Sequence, residues 1–249
     1  MKTLPHLFLC LMLAGLSSLA RADAQPRPRL YIVTELGPPA ATLENGRLIG
    51  FAADKVRLIL TRAGIDYEMD VLPWKRAYLL AQTRSDACIF SVSRIPQRDT
   101  LFKWVGPTHT TDWTLYGRAG RNYRVSTLED VRKYRIGAYF GDVRGETLSA
   151  QGYLVDTVHE RLANPRKLLF DRIDLWVSST QNGGPLISDN GWTGKIVPVL
   201  TFRQTGLYLA CNTEVPDALI ARMNMALTAM NNEGVSNAIE LKYNYGPRR

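Results

Sequence analysis

The chain is poor in the residues that carry most metal and nucleophile chemistry. Its 249 residues hold three cysteines and three histidines. Neither His109 nor His159, the two histidines beyond the N-terminal stretch, lies at a metal-ligand spacing from Cys, Asp or Glu, so a zinc-type centre has no signature here. No metal and no cofactor is expected. There is no Gly-x-Ser-x-Gly elbow and no glycine loop of the phosphate-cradling kind, which removes the common hydrolase and nucleotide-binding readings. No basic run is interleaved with aromatics, so nucleic acid is not an expected partner. No repeat of solenoid length and no low-complexity tract occurs. Beyond the leader, no stretch offers the roughly 18 consecutive apolar residues that a membrane span needs.

What is present begins with that leader. Residues 1–22 read as a secretory signal peptide, with Lys2 as the positive n-region and Leu7–Leu19 as an apolar core too short to cross a bilayer. Ala20-Arg21-Ala22 is a small-x-small cleavage site, and Ala22-Asp23-Ala24 is a second candidate. Cys10 lies inside the apolar core without the small residues that lipid attachment needs before it. The reading predicts export to the periplasm; an N-terminal anchor is the alternative. The net charge is +8, and cleavage removes Lys2 and Arg21 from it. A moderately basic surface suits anions or membrane headgroups, although scattered charge is also what an ordinary soluble face carries. The remaining length allows one large domain or two small lobes.

Cleavage leaves Cys88 and Cys211. An oxidising compartment permits a disulfide between them. Their separation does not decide it, because bridging depends on geometry. Each sits in an apolar run (ACIFS, LYLAC) where a buried free thiol is equally natural.

Strand and helix patterns alternate. Leu30–Thr34 is a buried strand, Gly50–Gly64 a helix with one apolar face, Tyr67–Val71 an alternating strand, Trp74–Thr83 a helix opened by Pro73, and Ala87–Phe90 a third strand. That βαβαβ order predicts a parallel sheet with right-handed crossovers. A second unit opens at Arg135–Phe140, with a helix start at Asp142–Glu146, a helix over Val158–Asp171 despite Pro165, and strands at Ile173–Val177, Ile196–Leu200 and Leu207–Ala210. Ser178–Thr193 is the least regular stretch, rich in turn formers. The tail is helical from Pro216 to Gly234, with a short last helix over Val235–Tyr243. Two α/β units joined by extended crossings predict two lobes and a cleft at the carboxyl ends of the strands.

The chemistry concentrates in Asp86–Pro107. A strand runs into two hydroxyls, Ser91 and Ser93; Arg94, Pro96 and Arg98 follow, then an aromatic return through Phe102 and Trp104. Strand, hydroxyl loop and arginine fork together suit capture of a small anion, because a guanidinium matches a carboxylate with two parallel hydrogen bonds. A basic surface loop after a core strand is the plain alternative.

This stretch resembles the ligand-binding loop of extracellular solute-binding proteins, the polar amino-acid type (family 3). The resemblance extends over most of the chain. Thr34-Glu35, Pro38-Pro39, Asn45-Gly46, Gly50-Phe51, Asp54 and Pro73-Trp74-Lys75-Arg76 are similar to the family's first lobe. Ile136-Gly137, Gly141-Asp142, Arg144, Leu148 and Gly152-Tyr153 resemble the start of its second, and Arg172-Ile173-Asp174-Leu175-Trp176 its Gly-Arg-Ile-Asp segment, with Asp171 where Gly is usual. Leu209, Pro216, Leu219, Gly234 and Lys242-Tyr243 match the closing pattern.

The resemblance implies an α/β, two-lobed periplasmic-binding-protein-like (type II) fold. Residues 25–113 plus 206–249 would form lobe one and 116–203 lobe two, with crossings near Thr114 and Thr205. It puts both cysteine strands in one lobe, which favours a Cys88–Cys211 bridge. It places Arg98 where the family clamps a ligand α-carboxylate, with Ser91 and Ser93 beside it. Trp74 would wall the pocket or pack in the core, and Glu35 would stand at the cleft mouth or as a solvated loop acid. Asp142, Val143 and Arg144 would form the helix start that meets the ligand. Where amino-acid binders place an aspartate against the ligand ammonium, this chain has Ser179. Asp142 stands where a small neutral residue is common, so it either meets a cation or caps its own helix. The implied function is hinge closure around a small polar solute, with delivery to a membrane permease of the ABC transporter type. A monomer is expected, and not an enzyme. A sensor module for a membrane receptor and an exported cyclohexadienyl-dehydratase-like enzyme are the alternatives on the same fold, the latter needing an acid such as Glu35, Asp142 or Glu146.

Overall fold

The first apolar run forms β1 (Arg29–Thr34) in this computed structural model, which describes residues 27–245. The signal-peptide reading of residues 1–22 lies outside the described residues. A hairpin follows, β2 (Thr42–Glu44) and β3 (Arg47–Ile49), turned by Asn45 and Gly46, both at positive φ. An Asn-Gly pair accommodates that turn with little strain. Next come α1 (Phe51–Arg62), β4 (Asp66–Val71), α2 (Trp74–Thr83) and β5 (Ala87–Ser93). Strands β4, β1 and β5 pair in parallel, as the βαβαβ pattern predicts. Helix α1 buries Phe51, Val56, Ile59 and Leu60, each worth roughly 1.5–3 kcal/mol against exposure.

A 3-10 turn (Pro96–Leu101) leads into β6 (Lys103–Arg118). The second unit is β7 (Ile136–Tyr139), α3 (Val143–Ala150), β8 (Val155–Val158), α4 (Ala163–Leu169) and β9 (Leu175–Ser178), with β9, β7 and β8 parallel. Then follow α5 (Thr180–Asp189), β10 (Ile196–Cys211), α6 (Asp217–Asn232) and α7 (Val235–Lys242). One mixed sheet runs β4-β1-β5-β10-β6-β9-β7-β8. Its centre is the antiparallel pair of 16-residue strands β6 and β10, which carries the chain from one unit to the other.

Buried apolar side chains divide the same way. In the first unit one set joins β1, α1, β5 and α6 with Val105 and Leu209, and a second joins β1, α2 and β5; in the other unit one set joins β7, α3 and β9 with Leu115, and a second joins α4 and β9 with Tyr116. Lys55 is the exception on the apolar face of α1. Its Nζ donates to the Thr108 carbonyl at 2.8 Å and to Glu240 at 2.6 Å, so a buried charge is paired and ties α1 to β6 and α7. Cys88 on β5 and Cys211 on β10 stand opposite each other, fully buried, and are joined as a disulfide in the structure.

Three sequence expectations need correction. Residues 155–158 form edge strand β8 along β7, and the helix begins only at Ala163. β-Branched Val155, Thr157 and Val158 favour the strand, and Pro165 falls in the first turn of α4, where its missing N–H costs nothing. Ser178–Thr193 is not irregular: it holds α5, despite Pro185 inside it. Ser179 Oγ accepts the Asn182 N–H at 3.1 Å, and Asp112 on β6 accepts the Thr180 N–H at 2.7 Å. These partners satisfy the open first turn and override poor local propensity. The segments Ile196–Leu200 and Leu207–Ala210 are parts of one strand, β10, broken only by register shifts.

Candidate functional site

The carboxyl ends of four strands converge on one cavity of about 190 Å³: Thr34 ends β1, Ser93 ends β5, Tyr139 ends β7 and Ser178 ends β9, and all four line it. This is where parallel α/β sheets leave room for ligands.

The side of β1 and β5 contributes Glu35, Trp74, Ser91, Ser93 and Arg98. Arg98 rides on the 3-10 turn, its side chain 7% exposed, with the guanidinium 5.0 Å from the Tyr78 ring centroid and 6.0 Å from that of Trp74. Aromatic faces hold it without using its donors. Its Nη2 donates to Glu146 on α3 at 3.2 Å. Ser91 has a φ of 64°, in the left-handed region rarely adopted by a serine inside a strand, and its Oγ is buried with no partner among the described residues. Arg94 is not at the cavity; it pairs with Asp99 at 2.6 Å.

The facing side contributes Tyr139, Asp142, Val143 and Arg144. Asp142 is the N-cap of α3, accepting from Arg144 N at 2.8 Å, and it also pairs with the Arg144 guanidinium at 2.5 Å. Burial works to lower the Arg144 pKa, but Asp142 more than offsets it and the net shift is upward. Asp142 therefore meets both conditions set for it, a cap and a cation, inside its own chain.

Contacts cross the cavity. Trp74 Nε1 donates to the Gly141 carbonyl at 3.0 Å, Tyr139 OH donates to Glu35 Oε1 at 2.8 Å, and Lys75 joins Glu146 at 3.0 Å. Glu35 is thus half-buried and bonded, not a solvated acid. Burial, with the Glu35 hydrogen bond second, pushes the Tyr139 phenol up to about 12.

Ser179 stands apart. It is fully buried, its hydroxyl caps α5, and it does not line the cavity; Ser178, Gln181 and Asn182 do. Tyr139, Arg161, Trp113 and Asn164, for which the sequence sets no expectation, line it too. Tyr139 had a signal, as the residue closing a strand of a parallel unit. For Trp113 and Asn164 there was none, since burial is a tertiary property. Asn164 is 2% exposed and packs over Gly137, where an added Cβ would lie 2.5 Å from Asn164 Oδ1 and 2.4 Å from Ile173 Cδ1. His109 also lines the cavity, buried edge-on to Phe51 at 4.9 Å; burial and then the Lys55 charge bring its pKa down to about 3. No cluster of three metal-ligating side chains occurs among the described residues.

Solved structures that share this fold include amino-acid-binding proteins and a sensor domain. An ancestral arginine-binding protein bound to arginine superposes with a TM-score of 0.74 at 19% identity, covering 87% of this chain and 98% of that one. A histidine kinase sensor domain similar to periplasmic binding proteins gives 0.79 at 19%, covering 87% and 96%. An amino acid ABC transporter substrate-binding protein from Streptococcus pneumoniae, bound to L-arginine, gives 0.74 at 13%, covering 86% and 94%. Identities this low speak for the fold alone. No curated protein matches by sequence. The model of the bacterial extracellular solute-binding proteins, family 3, matches residues 30–246. With most of its length matched, and with the order of strands, arginine turn and second unit described above, the chain belongs to that family.

Proposed function

We propose that this chain captures a small polar solute in the exported space by closing two lobes around it. The closed form is then presented to a membrane partner, a permease of the ABC type. Residues 25–113 with 206–249 make one lobe and 116–203 the other, β6 and β10 being the hinge. The observation that carries the reading is Arg98, a buried guanidinium lining the cavity and reaching a side chain of the facing lobe. Arg98, with Ser91 and Ser93, takes the anionic end of the solute. Trp74 walls the site, and Glu35 and the Asp142–Arg144 turn fasten the lobes around it. Both acids that line the cavity, Glu35 and Asp142, are already engaged as acceptors, which favours binding over acid catalysis. The protein acts as a monomer.

A thermal-shift screen of amino acids, their derivatives and small carboxylates tests this reading, because a ligand of the native state alone raises the melting temperature. The expected result is a carboxylate-bearing hit that is lost in Arg98→Ala. A hit that survives that change moves the site elsewhere. The similarity to a kinase sensor domain keeps a receptor partner as a second reading; binding of the closed form to a permease rather than a receptor ectodomain separates the two.

A further inference from the structure

Two cations on one side of the cavity converge on a single carboxylate of the other. Glu146 stands one turn into α3, after the N-cap Asp142. Its Oε1 accepts from Lys75 Nζ at 3.0 Å, and its Oε2 accepts from Arg98 Nη2 at 3.2 Å. Lys75 belongs to the first turn of α2 and Arg98 to the 3-10 turn after β5. Two separate elements of one unit thus meet one helix of the other. Glu146 touches Arg98 without lining the cavity. The surroundings fit Lys75 to this place. Its Nζ lies 5.3 Å from the Phe140 ring centroid. Its chain crosses Gly141, where an added Cβ would run into Lys75 Cε. The preceding residue, Trp74, donates from Nε1 to the Gly141 carbonyl at 3.0 Å.

Taken alone, the Lys75–Glu146 pair is half exposed on both sides, and such pairs contribute little. Arg98 changes the balance. Its side chain is mostly out of water, so its attraction to a carboxylate is less screened. One carboxylate bridging both cations makes a network of the three. The clamp is not consumed by it: a guanidinium carries five N–H donors, and Arg98 gives one of them to a described residue. The Tyr78 and Trp74 rings confine the guanidinium, and Glu146 fixes the direction in which it points.

We propose that Glu146 is a positioning residue for the Arg98 clamp, and that with Lys75 it forms a clasp between the lobes. The clasp holds the guanidinium in place and the two lobes together. Its three groups meet only when the lobes are closed, so it slows the release of solute and does not speed its capture. This rests on the solute-binding reading and adds to it the residue that ties closure to the clamp.

The contact is tested with a zero-length carbodiimide, which joins an amine to a carboxylate where the two touch, with loss of water. Peptide mass spectrometry of the exported protein should find a Lys75–Glu146 amide between the lobes. Beside it should stand a Lys103–Asp217 amide within lobe one, a pair 2.6 Å apart that serves as the control. Glu146→Gln should abolish the first link and keep the second. The functional arm uses the amino acids and small carboxylates of the thermal-shift panel. For a compound that binds the wild type, Glu146→Gln should raise the release rate about three- to tenfold, the scale of one hydrogen bond, and leave the capture rate nearly unchanged. Release from the wild type should quicken between about 0.02 and 0.5 M sodium chloride, more steeply than release from the variant. Lys75→Met should release faster as well, and Lys75→Arg, which keeps the charge, should recover most of that loss. A general loss of stability would produce neither the salt difference nor the recovery. The control link without the Lys75–Glu146 link overturns the inference. So does a Glu146→Gln protein that holds its compound as tightly as the wild type or tighter, since the carboxylate would then compete with the solute for Arg98. A panel in which nothing binds the wild type overturns the solute-binding reading, and the cross-link still decides whether the clasp exists.

Discussion

The Tyr139 hydroxyl donates to Glu35 Oε1 at 2.8 Å, joining the carboxyl end of β7 to the residue just after β1. These are the opening strands of the two α/β units, so the bond links equivalent places on opposite sides of the cavity. The Trp74 N–H reaches the same oxygen at 3.3 Å. Because the phenol is pushed up to about 12, it stays a donor throughout the neutral range.

Removing that donor should loosen the closed arrangement. Tyr139→Phe is expected to weaken solute binding about three- to tenfold, the scale of one hydrogen bond. It should also enlarge the radius of gyration of the solute-free protein in X-ray scattering. Glu35→Gln should act through the same contact, so the double variant should show a coupling of about 1 kcal/mol in a double-mutant cycle. Strictly additive effects would mean that the two side chains do not act as a pair.

The Cys88–Cys211 disulfide joins neighbouring strands across a sequence separation of 123 residues. A cross-link of that span limits the unfolded chain, and its loss typically costs about 2–5 kcal/mol. Reduction, or the Cys88→Ala/Cys211→Ala pair, should lower unfolding stability by that order in a urea titration. Solute affinity should change little, because neither cysteine lines the cavity. Titration of the unfolded, unreduced protein should find no free thiol from this pair; two reactive thiols would show that the bridge is not formed.

Asp142 caps α3 and neutralises Arg144, which predicts a contribution to stability. Asp142→Asn keeps an N-cap for α3 but takes the counter-charge from the Arg144 guanidinium, which is 13% exposed. A loss of roughly 2–4 kcal/mol is expected in urea unfolding, slightly less than for a fully buried pair. Asp142→Ala should cost about 1 kcal/mol more through the lost cap. Affinity that collapses in Asp142→Asn without a stability loss would instead assign the carboxylate to the solute.

What the sequence made legible follows from the range of the interactions involved. The periodicities of Phe51–Arg62 and Trp74–Thr83 and the apolar runs of β1 and β5 are local, and the βαβαβ order of the first unit is readable from them, whereas edge strand β8 of the second is not. Arg98 was readable because a guanidinium after a strand and two hydroxyls is a chemical statement in itself. Helix α5 was hidden because its first turn is completed by Asp112, 68 residues earlier. Ser179 falls by spacing at the position of the family's ligand-binding aspartate, and spacing alone does not tell a hydroxyl that meets a ligand from one that caps a helix. Trp113 and Asn164 carry no local mark at all: what singles them out is deep burial without a partner.

His109 gives the protein an acid-side sensitivity of its own. Burial, then the Lys55 charge, lowers its pKa from 6.5 to about 3 in the folded state. Around it stand the Phe51 and Tyr245 rings, Thr108 Oγ1 at 3.0 Å from Nδ1, and Lys55, itself paired with Glu240. Above pH 6.5 the imidazole is neutral in both states and stability is complete. Below it the unfolded chain takes up a proton that the folded chain refuses, so stability falls as pH drops from 6.5 towards 3. The slope from this one group is at most about 1.4 kcal/mol per pH unit. Urea unfolding between pH 7 and 4.5 should show that slope added to the carboxylate background, and His109→Gln should remove it while leaving the rest of the profile. A variant profile that runs parallel to the wild type would place the imidazole in contact with water, and a slope of the opposite sign would require a carboxylate beside it.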